Sequence, residues 1–363
     1  MTPDPLATPL TRRLGCRLPV IQTAMGWIAE PVLVAATAEA GGFGFLGAAV
    51  MRPDEARAKI AEVRRLTARP FGVNFHMFQP GADAILEAIL HNAEQVRAVS
   101  FGRGPDAKMI GRFRDAGILC VPTIGAVKHA RKMVSLGVDM LVVQGGEGGG
   151  HTGSVASTVL LPQVLDAVDL PVVAAGGFGD GRGLAAALAY GAAGIAMGTR
   201  FLMTAESPVP EVVKRRYLSA GTDDVTITDR IDGLPQRMVR NAVLARIERG
   251  GAIAGWVRAL RSGVAMRQRT GASFGELLAA ARGMQSHGGL TLAQAISAAA
   301  APTLIQRAVV DGDADNGLMA TGQIAGRLGD LPSVADLLAA IERDARARIA
   351  ALAGTPVLRR VVG

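Results

Sequence analysis

One pattern repeats along the first 200 residues of this chain: a short apolar run is followed by a longer stretch with the hydrophobic period of a helix. Strands joined in this way run parallel, because a parallel pair needs a long crossover connection. Eight such runs occur, and eight parallel strands surrounded by helices close a (β/α)8 TIM barrel, an α/β fold. An open doubly wound sheet is the alternative, although it does not require this number. The predicted strands are residues 19–23, 44–46, 72–75, 96–100, 119–123, 140–143, 172–175 and 194–197.

The rhythm of the sequence changes after Met203. We predict that residues 221–318 form an inserted, mainly helical cap subdomain over the carboxyl ends of the strands. Residues 1–220 and 319–363 are then predicted to form the barrel, with a long amphipathic helix over 332–352 completing its outer ring. A chain of 363 residues, 49% of them apolar, is long enough to bury a core of this size.

Composition narrows the choice of partners. The formal net charge of +8 indicates either a solvated basic surface or attraction of anionic ligands. No basic run is interleaved with aromatic residues, so nucleic acid is not an expected partner. The sequence lacks a run of about 20 apolar residues, so a membrane span is not expected. Cys16 and Cys120 lack the spacing of metal ligands. We therefore expect a reduced, cytoplasmic protein without a metal centre. The sequence leaves the oligomeric state open, with a homodimer as one alternative.

Two glycine-bearing corners follow the seventh and eighth predicted strands. Gly176-Gly177 comes after one apolar run and Gly198-Thr199 after the next, with a helical pattern between them. Both strand ends then point the same way. Because glycine has no Cβ, the backbone N–H groups at such corners can approach a phosphate closely. The loops after strands 7 and 8 are the usual phosphate site of this barrel, so the sequence predicts a phosphate-bearing ligand.

Residues 145–151, called the glycine loop here, follow the sixth predicted strand, and five of these seven residues are glycine. Ordering such a loop costs much backbone entropy, which suggests a close approach to a flat ring or a phosphate. His151 ends the loop. Histidine is the side chain used most often as a general acid or base in catalysis. An ordinary surface histidine is the competing interpretation, and Glu147 is expected to be solvated.

Two further strand ends carry residues that suit a planar ring. Ala24, Met25 and Gly26 follow the first predicted strand, where small side chains leave room beside the backbone, although an ordinary turn is equally consistent. Asn74 lies at the end of the third. Its amide both donates and accepts hydrogen bonds, which suits a ring with a carbonyl and an N–H group.

Together these segments resemble the FMN-dependent nitronate monooxygenase (2-nitropropane dioxygenase-like) family. The resemblance spans residues 19–337 and rests on residues 22–27, 72–74, 144–151, 175–178, 197–201 and 317–323. It implies a barrel with a smaller helical cap. It also implies FMN as cofactor, with His151 as the catalytic acid or base. The implied FMN contacts are Gly176, Gly177, Gly198 and Thr199 at the phosphate, Ala24, Met25 and Gly26 against the ring, Asn74 and Gln144 at its polar edge, and Gly149.

Residues 144–153 and 213–217 resemble most closely a branch of this family that acts on CoA thioesters in bacterial steroid-ring degradation. By that resemblance Lys214, Arg215 and Arg216 would meet CoA phosphates, since charge-assisted contacts to phosphate are strong. A solvated helix face is the alternative for these three. The chain departs from typical nitronate oxidisers, which carry Gly-Gly-Met where this sequence has Thr23-Ala24-Met25.

Several functions fit these features. The first is an FMN-dependent oxidoreductase that reduces, or reversibly desaturates, an enoyl-type acyl-CoA, including a steroid-derived one. The second is a nitronate monooxygenase that oxidises alkyl nitronates with O2. A flavin-free phosphate-binding barrel and a purely binding protein are the others. An IMP-type dehydrogenase is disfavoured because Cys120 falls inside the fifth predicted strand. No Gly-x-Gly-x-x-Gly unit is seen, so NAD(P)H would visit the flavin only transiently as electron donor.

Overall fold

The computed structural model describes residues 4–77, 79–102, 105–231, 233–249 and 302–354. The chain divides into two compact units. The barrel unit consists of residues 1–145, 155–207 and 331–363, and the insert unit of residues 146–154 and 208–330.

The described strands are short, as expected for runs of buried apolar residues between glycine-rich turns. They are β1 (Val20–Gln22), β2 (Phe43–Gly47), β3 (Phe71–Asn74), β4 (Val96–Ser100), β5 (Leu119–Cys120), β6 (Thr123–Ile124), β7 (Leu141–Gln144), β8 (Gly150–His151), β9 (Val172–Ala175), β10 (Gly194–Met197), β11 (Val225–Thr228) and β12 (Gln236–Val239).

Nine of these strands form one parallel sheet with the order β5-β4-β3-β2-β1-β10-β9-β7-β6. Its two outer strands, β5 and β6, are halves of a single extended segment, interrupted at Pro122, which has no N–H group to donate. On one side of this segment Val121 N donates to Val99 O (2.8 Å). On the other side Val142 N donates to Pro122 O (2.9 Å). The sheet therefore closes on itself, and the predicted eight-stranded barrel is confirmed.

Helices follow the strands of the barrel, as a parallel sheet requires. The described helices are α1 (Pro9–Leu14), α2 (Pro31–Glu39), α3 (Pro53–Leu66), α4 (Ala82–Leu90), α5 (Ala107–Asp115), α6 (Val127–Ser135), α7 (Ser157–Leu165), α8 (Gly181–Ala189), α9 (Thr199–Leu202), α10 (Glu211–Leu218), α11 (Ala242–Arg249), α12 (302–309) and α13 (Val334–Gly354). None of the helices within the described ranges has the length and apolar character to cross a membrane.

The long C-terminal helix α13 packs against α8 and α2 in the barrel unit. The two helices come close because the first residue of α8 is Gly181, which has no side chain. A Cβ on Gly181 would lie 2.5 Å from Ala345 N and 2.6 Å from Ile341 O. Asp180 caps α8 by accepting a hydrogen bond from Gly183 N (3.1 Å). The predicted C-terminal helix thus belongs to the outer layer of the barrel unit.

Aliphatic and phenylalanine side chains from neighbouring strands fill the barrel core. Phe43 and Phe45 meet edge to face with ring centroids 5.2 Å apart. Gly72 makes room for them, since a Cβ there would overlap the Phe45 ring. The same cluster includes Ile21, Ala98, Val121, Val142, Val173, Ala175 and Ala196.

The insert unit contains a three-stranded antiparallel sheet with the order β11-β12-β8. Its apolar cluster includes Ile231, Met238, Leu244, Ile247 and Leu318. The unit holds the predicted insert 221–318 and also residues 146–154, 208–220 and 319–330, and the exact domain boundaries stay a prediction. Its described part has strands as well as helices. Residues 250–301, for which helices were predicted, lie outside the described residues.

Candidate active site

The predicted cofactor residues of the barrel unit lie at the carboxyl ends of its strands. Asn74 and Gln144 end β3 and β7. Residues 24–26, 176–177 and 198–199 directly follow β1, β9 and β10. The register pairs Gln22 with Met197 and Gln144 with Ala175, so neighbouring strands end at matching heights. The fold therefore brings these residues to one rim of the barrel, the rim on which active sites of this fold are built.

Gly176 and Gly177 form the first corner of this rim. Both have left-handed backbone, with φ values of 96° and 80°. A Cβ on Gly176 would lie 3.0 Å from Gly145 O and 3.1 Å from Ser157 Oγ. Ser157 Oγ donates to Gly176 O (3.0 Å), and Gly145 N donates to Ala175 O (3.0 Å). The corner is thus a tight backbone turn that other residues would fill or strain.

Gly198 forms the second corner, at the end of β10. A Cβ on Gly198 would lie 3.1 Å from Thr23 Oγ1 and 3.5 Å from Met25 Sδ. The Thr23 N–H and hydroxyl groups both donate to Met197 O, at 3.1 and 3.2 Å. Thr199 is buried and begins the short helix α9. The loop after β1 is therefore fastened beside the loop after β10.

Ala24, Met25 and Gly26 are half-buried in the loop after β1. Met25 O accepts hydrogen bonds from Ile28 N (3.1 Å) and Ala29 N (2.9 Å). The next residue, Trp27, has φ of 60° and is, within the described residues, the single non-glycine with positive φ. A bulky residue in this conformation is strained, and such strain is common at functional sites.

Two amide side chains at this rim retain hydrogen-bonding capacity. Asn74 Nδ2 donates to Ser100 O (3.0 Å), which fixes the amide and leaves Oδ1 as its acceptor. Gln22 is fully buried, and its Nε2 donates to Thr23 O (2.5 Å) and Phe45 O (3.2 Å). Gln22 Oε1 finds no hydrogen-bond partner in the described part of the chain. Buried polar atoms are seldom left without a hydrogen-bond partner.

The predicted acid or base, His151, lies in the insert unit. β8 pairs with β12 so that His151 is opposite Gln236 and Gly150 is opposite Arg237. Thr152 N donates to Pro235 O (3.1 Å) and continues this ladder. The His151 side chain is exposed. Regular strand pairing, rather than a free loop, therefore sets the position of this histidine.

Four neighbours order residues 146–149 of the glycine loop, and one of them is Thr152, whose Oγ1 donates to Gly146 O (3.1 Å). The Arg237 guanidinium donates to Gly146 O (2.5 Å) and Gly148 O (3.2 Å). Gln323 N donates to Glu147 O (2.9 Å). A Cβ on Gly149 would lie 2.5 Å from Gly322 N, so glycine is required there. The entropy cost of ordering the loop is offset by these contacts.

Arg237 is itself buried, and burial lowers its pKa, while the charge of Glu147 opposes that change. Its ordinary pKa is so high that the side chain stays charged near neutral pH. Hydrogen bonds from a charged donor are roughly twice as strong as neutral ones. The two carbonyl oxygens therefore receive strong, directional bonds.

The predicted CoA-binding cations do not share one environment. Lys214 is buried, whereas Arg215 and Arg216 are exposed on α10. Arg215 forms an ion pair with Glu211 one turn earlier, with Nη2 and Oε1 2.5 Å apart. The helix thus turns Lys214 inward and the two arginines outward.

Sequence reasoning did not identify Ser157, the acceptor atom of Gln22, or Arg237 as parts of these arrangements. Arg237 lies 89 and 91 residues from the two carbonyls it holds, so no local motif could reveal it. The described residues contain no group of three or more His, Cys, Asp or Glu side chains able to hold a metal ion.

A closed parallel barrel with glycine corners at the ends of its last two strands is typical of barrel enzymes that bind phosphate groups at this rim. The family model for nitronate monooxygenase matches residues 7–344. The chain therefore belongs to the nitronate monooxygenase family of oxidoreductases, which confirms the resemblance seen in the sequence.

Three similar proteins differ in their named activities. The (3aS,4S,5R,7aS)-5-hydroxy-7a-methyl-1-oxo-octahydro-1H-indene-4-carboxyl-CoA dehydrogenase of Mycobacterium tuberculosis is 48% identical over 94% of this chain and 96% of its own. A probable nitronate monooxygenase of Staphylococcus saprophyticus is 32% identical over 67% of this chain and 81% of its own. The structure of FabK from Thermotoga maritima, 31% identical, matches with a TM-score of 0.76 over 96% of this chain and 98% of its own.

Proposed function

We propose that this protein is an FMN-dependent oxidoreductase that interconverts a saturated acyl-CoA and its enoyl form, with a fused-ring, steroid-derived acyl group. The carboxyl-CoA dehydrogenase of M. tuberculosis supports a CoA thioester on a fused ring as substrate, because it is 48% identical over nearly the whole chain. The likeness to FabK supports the same barrel scaffold.

The observation that carries the proposal is the pair of glycine corners at the rim of the barrel unit. Gly176, Gly177, Gly198 and Thr199 would hold the FMN phosphate through main-chain N–H groups, since no Cβ hinders the approach. Ala24, Met25 and Gly26 would lie against the ring, with Asn74, Gln144 and Gly149 completing the site. Asn74 Oδ1 is suited to accept from a ring N–H group because its Nδ2 is held by Ser100.

Desaturation of a thioester removes a proton from the α-carbon and a hydride from the β-carbon, and reduction adds both. FMN, when bound, exchanges the hydride and its two electrons. His151 is proposed to exchange the proton, taking it from the α-carbon in one direction and returning it in the other. An imidazole suits this role because both of its protonation states are populated near neutral pH.

Binding of the CoA moiety is proposed to use the basic residues of α10. Arg215 and Arg216 are exposed and can meet phosphate groups directly, after Arg215 exchanges its ion pair with Glu211. Lys214, which is buried, would add to the local positive potential. NAD(P)H is proposed as the transient electron donor in the reducing direction.

The second candidate is nitronate oxidation. It is favoured by the probable nitronate monooxygenase of S. saprophyticus, which is 32% identical over part of the chain. There His151 would remove the α-proton only of a neutral nitroalkane, since a nitronate has already lost that proton. The two candidates therefore share His151 and the flavin site, and they differ in substrate and in the use of the α10 arginines.

The test is to incubate the purified protein with a fused-ring enoyl-CoA and NAD(P)H, and separately with the saturated thioester and an electron acceptor. We expect mass changes of two hydrogens in opposite directions. Rapid oxygen consumption with an alkyl nitronate, combined with unchanged thioesters in both arms, would contradict the proposal and establish the second candidate.

A further inference from the structure

We propose that Arg237 is a positioning residue, which fixes the glycine loop and thereby the acid-base group His151. This inference rests on the proposed function of His151. The side chain is on β12, in register with Gly150 and next to the residue opposite His151. It touches no reacting atom in this account and acts through the backbone of the loop.

The geometry of the guanidinium suits this task. Its Nε and Nη2 groups reach two carbonyls that are two residues apart, Gly148 O and Gly146 O. A guanidinium presents its donors in a rigid planar fork, so it can hold two acceptors at a fixed separation. A lysine ammonium is a compact charge on a flexible stem and lacks that fork. Both contacts come from the same strand that pairs with β8.

The loop needs such a clamp because glycine loses more backbone freedom than other residues when it becomes ordered. Gly150 also has left-handed backbone, with φ of 63°, immediately before His151. Gly150 joins residues 146–149 to His151, so we expect a displacement of those residues to reach β8. The pairing with β12, extended by the bond from Thr152 N to Pro235 O, restrains residues 150–152 but does not reach residues 146–149.

Burying the charged Arg237 side chain costs desolvation free energy, which an apolar side chain of similar size would not. Arg237 is 7% exposed, and burial disfavours its charged form. A buried ion pair replaced as a whole by apolar side chains is often no less stable, so a buried charge is weak evidence for a role in stability. A charged fork aimed at two loop carbonyls is therefore better explained by the geometry it imposes than by stability alone.

The experiment compares Arg237→Gln and Arg237→Lys in the FMN-loaded full-length protein, with Arg240→Gln as the matched control. Arg240 is exposed just beyond the same strand and donates to Thr226 Oγ1 (3.3 Å). Three quantities are measured: amide hydrogen exchange in residues 146–151, the Kd of the acyl-CoA, and the rate at which the α-proton of the thioester exchanges with D2O.

We expect both Arg237 variants to show faster amide exchange in residues 146–151 and an unchanged Kd. Exchange of the α-proton should fall about a hundredfold, the scale expected when a catalytic group is misplaced by about 1 Å. Added guanidinium ion should restore part of that rate in Arg237→Gln. Arg240→Gln should match the wild type in all three quantities.

Unchanged amide exchange of the loop in both Arg237 variants would overturn the proposal, whatever their activity. A loosened loop with wild-type proton exchange would also overturn it. Should Arg237→Gln fail to fold, Arg237→Lys, which keeps the charge, decides the matter. A wild-type protein without any thioester chemistry would instead count against the proposed function, and the loop measurement would still report on the clamp.

Discussion

At the scale of single residues, the glycines with left-handed backbone serve different purposes. Gly177 and Gly191 are both exposed, with φ of 80° and 98°. Gly177 lies at the proposed phosphate corner, whereas Gly191 follows α8, and a Cβ there would meet, among the residues that the structure describes, only Leu165 Cδ1, at 4.0 Å. The second is an ordinary helix ending. Comparing the same substitution at Gly177 and at Gly191 therefore separates the effect of backbone strain from the effect on ligand binding.

We predict that Gly177→Val lowers FMN affinity while Gly191→Val does not. Both substitutions force a side chain into left-handed backbone and should each cost on the order of 1–2 kcal/mol of stability. In Gly177→Val the added side chain also blocks the approach of the backbone to the phosphate. The measurement is the Kd of FMN for each variant. Equal affinities in the two variants would remove Gly177 from the phosphate site.

His151→Ala should keep FMN bound but lose most of its turnover. General acids and bases contribute on the order of 10²- to 10⁴-fold to the rate. His129→Ala is the control, because His129 is exposed on α6 in the barrel unit. Steady-state kinetics and the flavin content of each variant check the prediction. A His151→Ala enzyme that turns over at nearly the wild-type rate would assign the proton to another group.

Residue-level prediction from the sequence succeeded where local pattern determines position. Asn74 and Gln144 could be placed at strand ends because apolar runs mark the strands. Arg237 and the orphaned Gln22 Oε1 could not be found, since their roles depend on carbonyls of distant segments. Lys214 shows that a local sequence pattern can also mislead. A run of three basic residues reads as one surface, yet the helix buries the first of them.

At the scale of elements, two helical glycines show how packing decides the effect of the same substitution. Gly181 begins α8, and a Cβ there would lie 2.5 Å from Ala345 N of α13. Gly111 lies inside α5, and a Cβ there would meet nothing within 4 Å in the described part of the chain. The first glycine permits a close helix contact, whereas the second only weakens its own helix.

We predict that Gly181→Ala destabilises the barrel unit and Gly111→Ala stabilises it. Backbone atoms cannot retreat easily, so overpacking at Gly181 should cost about 1–3 kcal/mol. Alanine at Gly111 should gain about 0.5–1 kcal/mol through helix propensity. Denaturant unfolding of the two variants beside the wild type measures both. A stabilised Gly181→Ala protein would show that α13 is not held against α8 as described.

The barrel strands could be predicted to within a residue or two because each is a buried run that ends at glycine or a polar residue. The sheet of the insert unit could not. The sequence placed β11 (Val225–Thr228) and β12 (Gln236–Val239) in a mainly helical insert, and β8 (Gly150–His151) was not predicted as a strand. Their pairing joins segments far apart in sequence, so context rather than local propensity decides their structure.

At the scale of the whole molecule, the chain consists of a barrel unit and an insert unit that carries residues 146–151 of the glycine loop. The family match over residues 7–344 fixes the class of oxidoreductase. We propose that the choice of substrate depends on fewer residues, among them the exposed arginines of α10. The basic net charge of +8 is consistent with an anionic thioester as the ligand.

The most direct test of the central claim is to mix the FMN-loaded protein with a saturated, fused-ring acyl-CoA in the absence of oxygen and to follow the visible absorbance of the flavin. Our account predicts bleaching of the oxidised flavin and formation of the enoyl thioester in equal amounts. Absorbance that stays unchanged with the thioester but is lost with an alkyl nitronate, or a protein that cannot bind FMN, would contradict it.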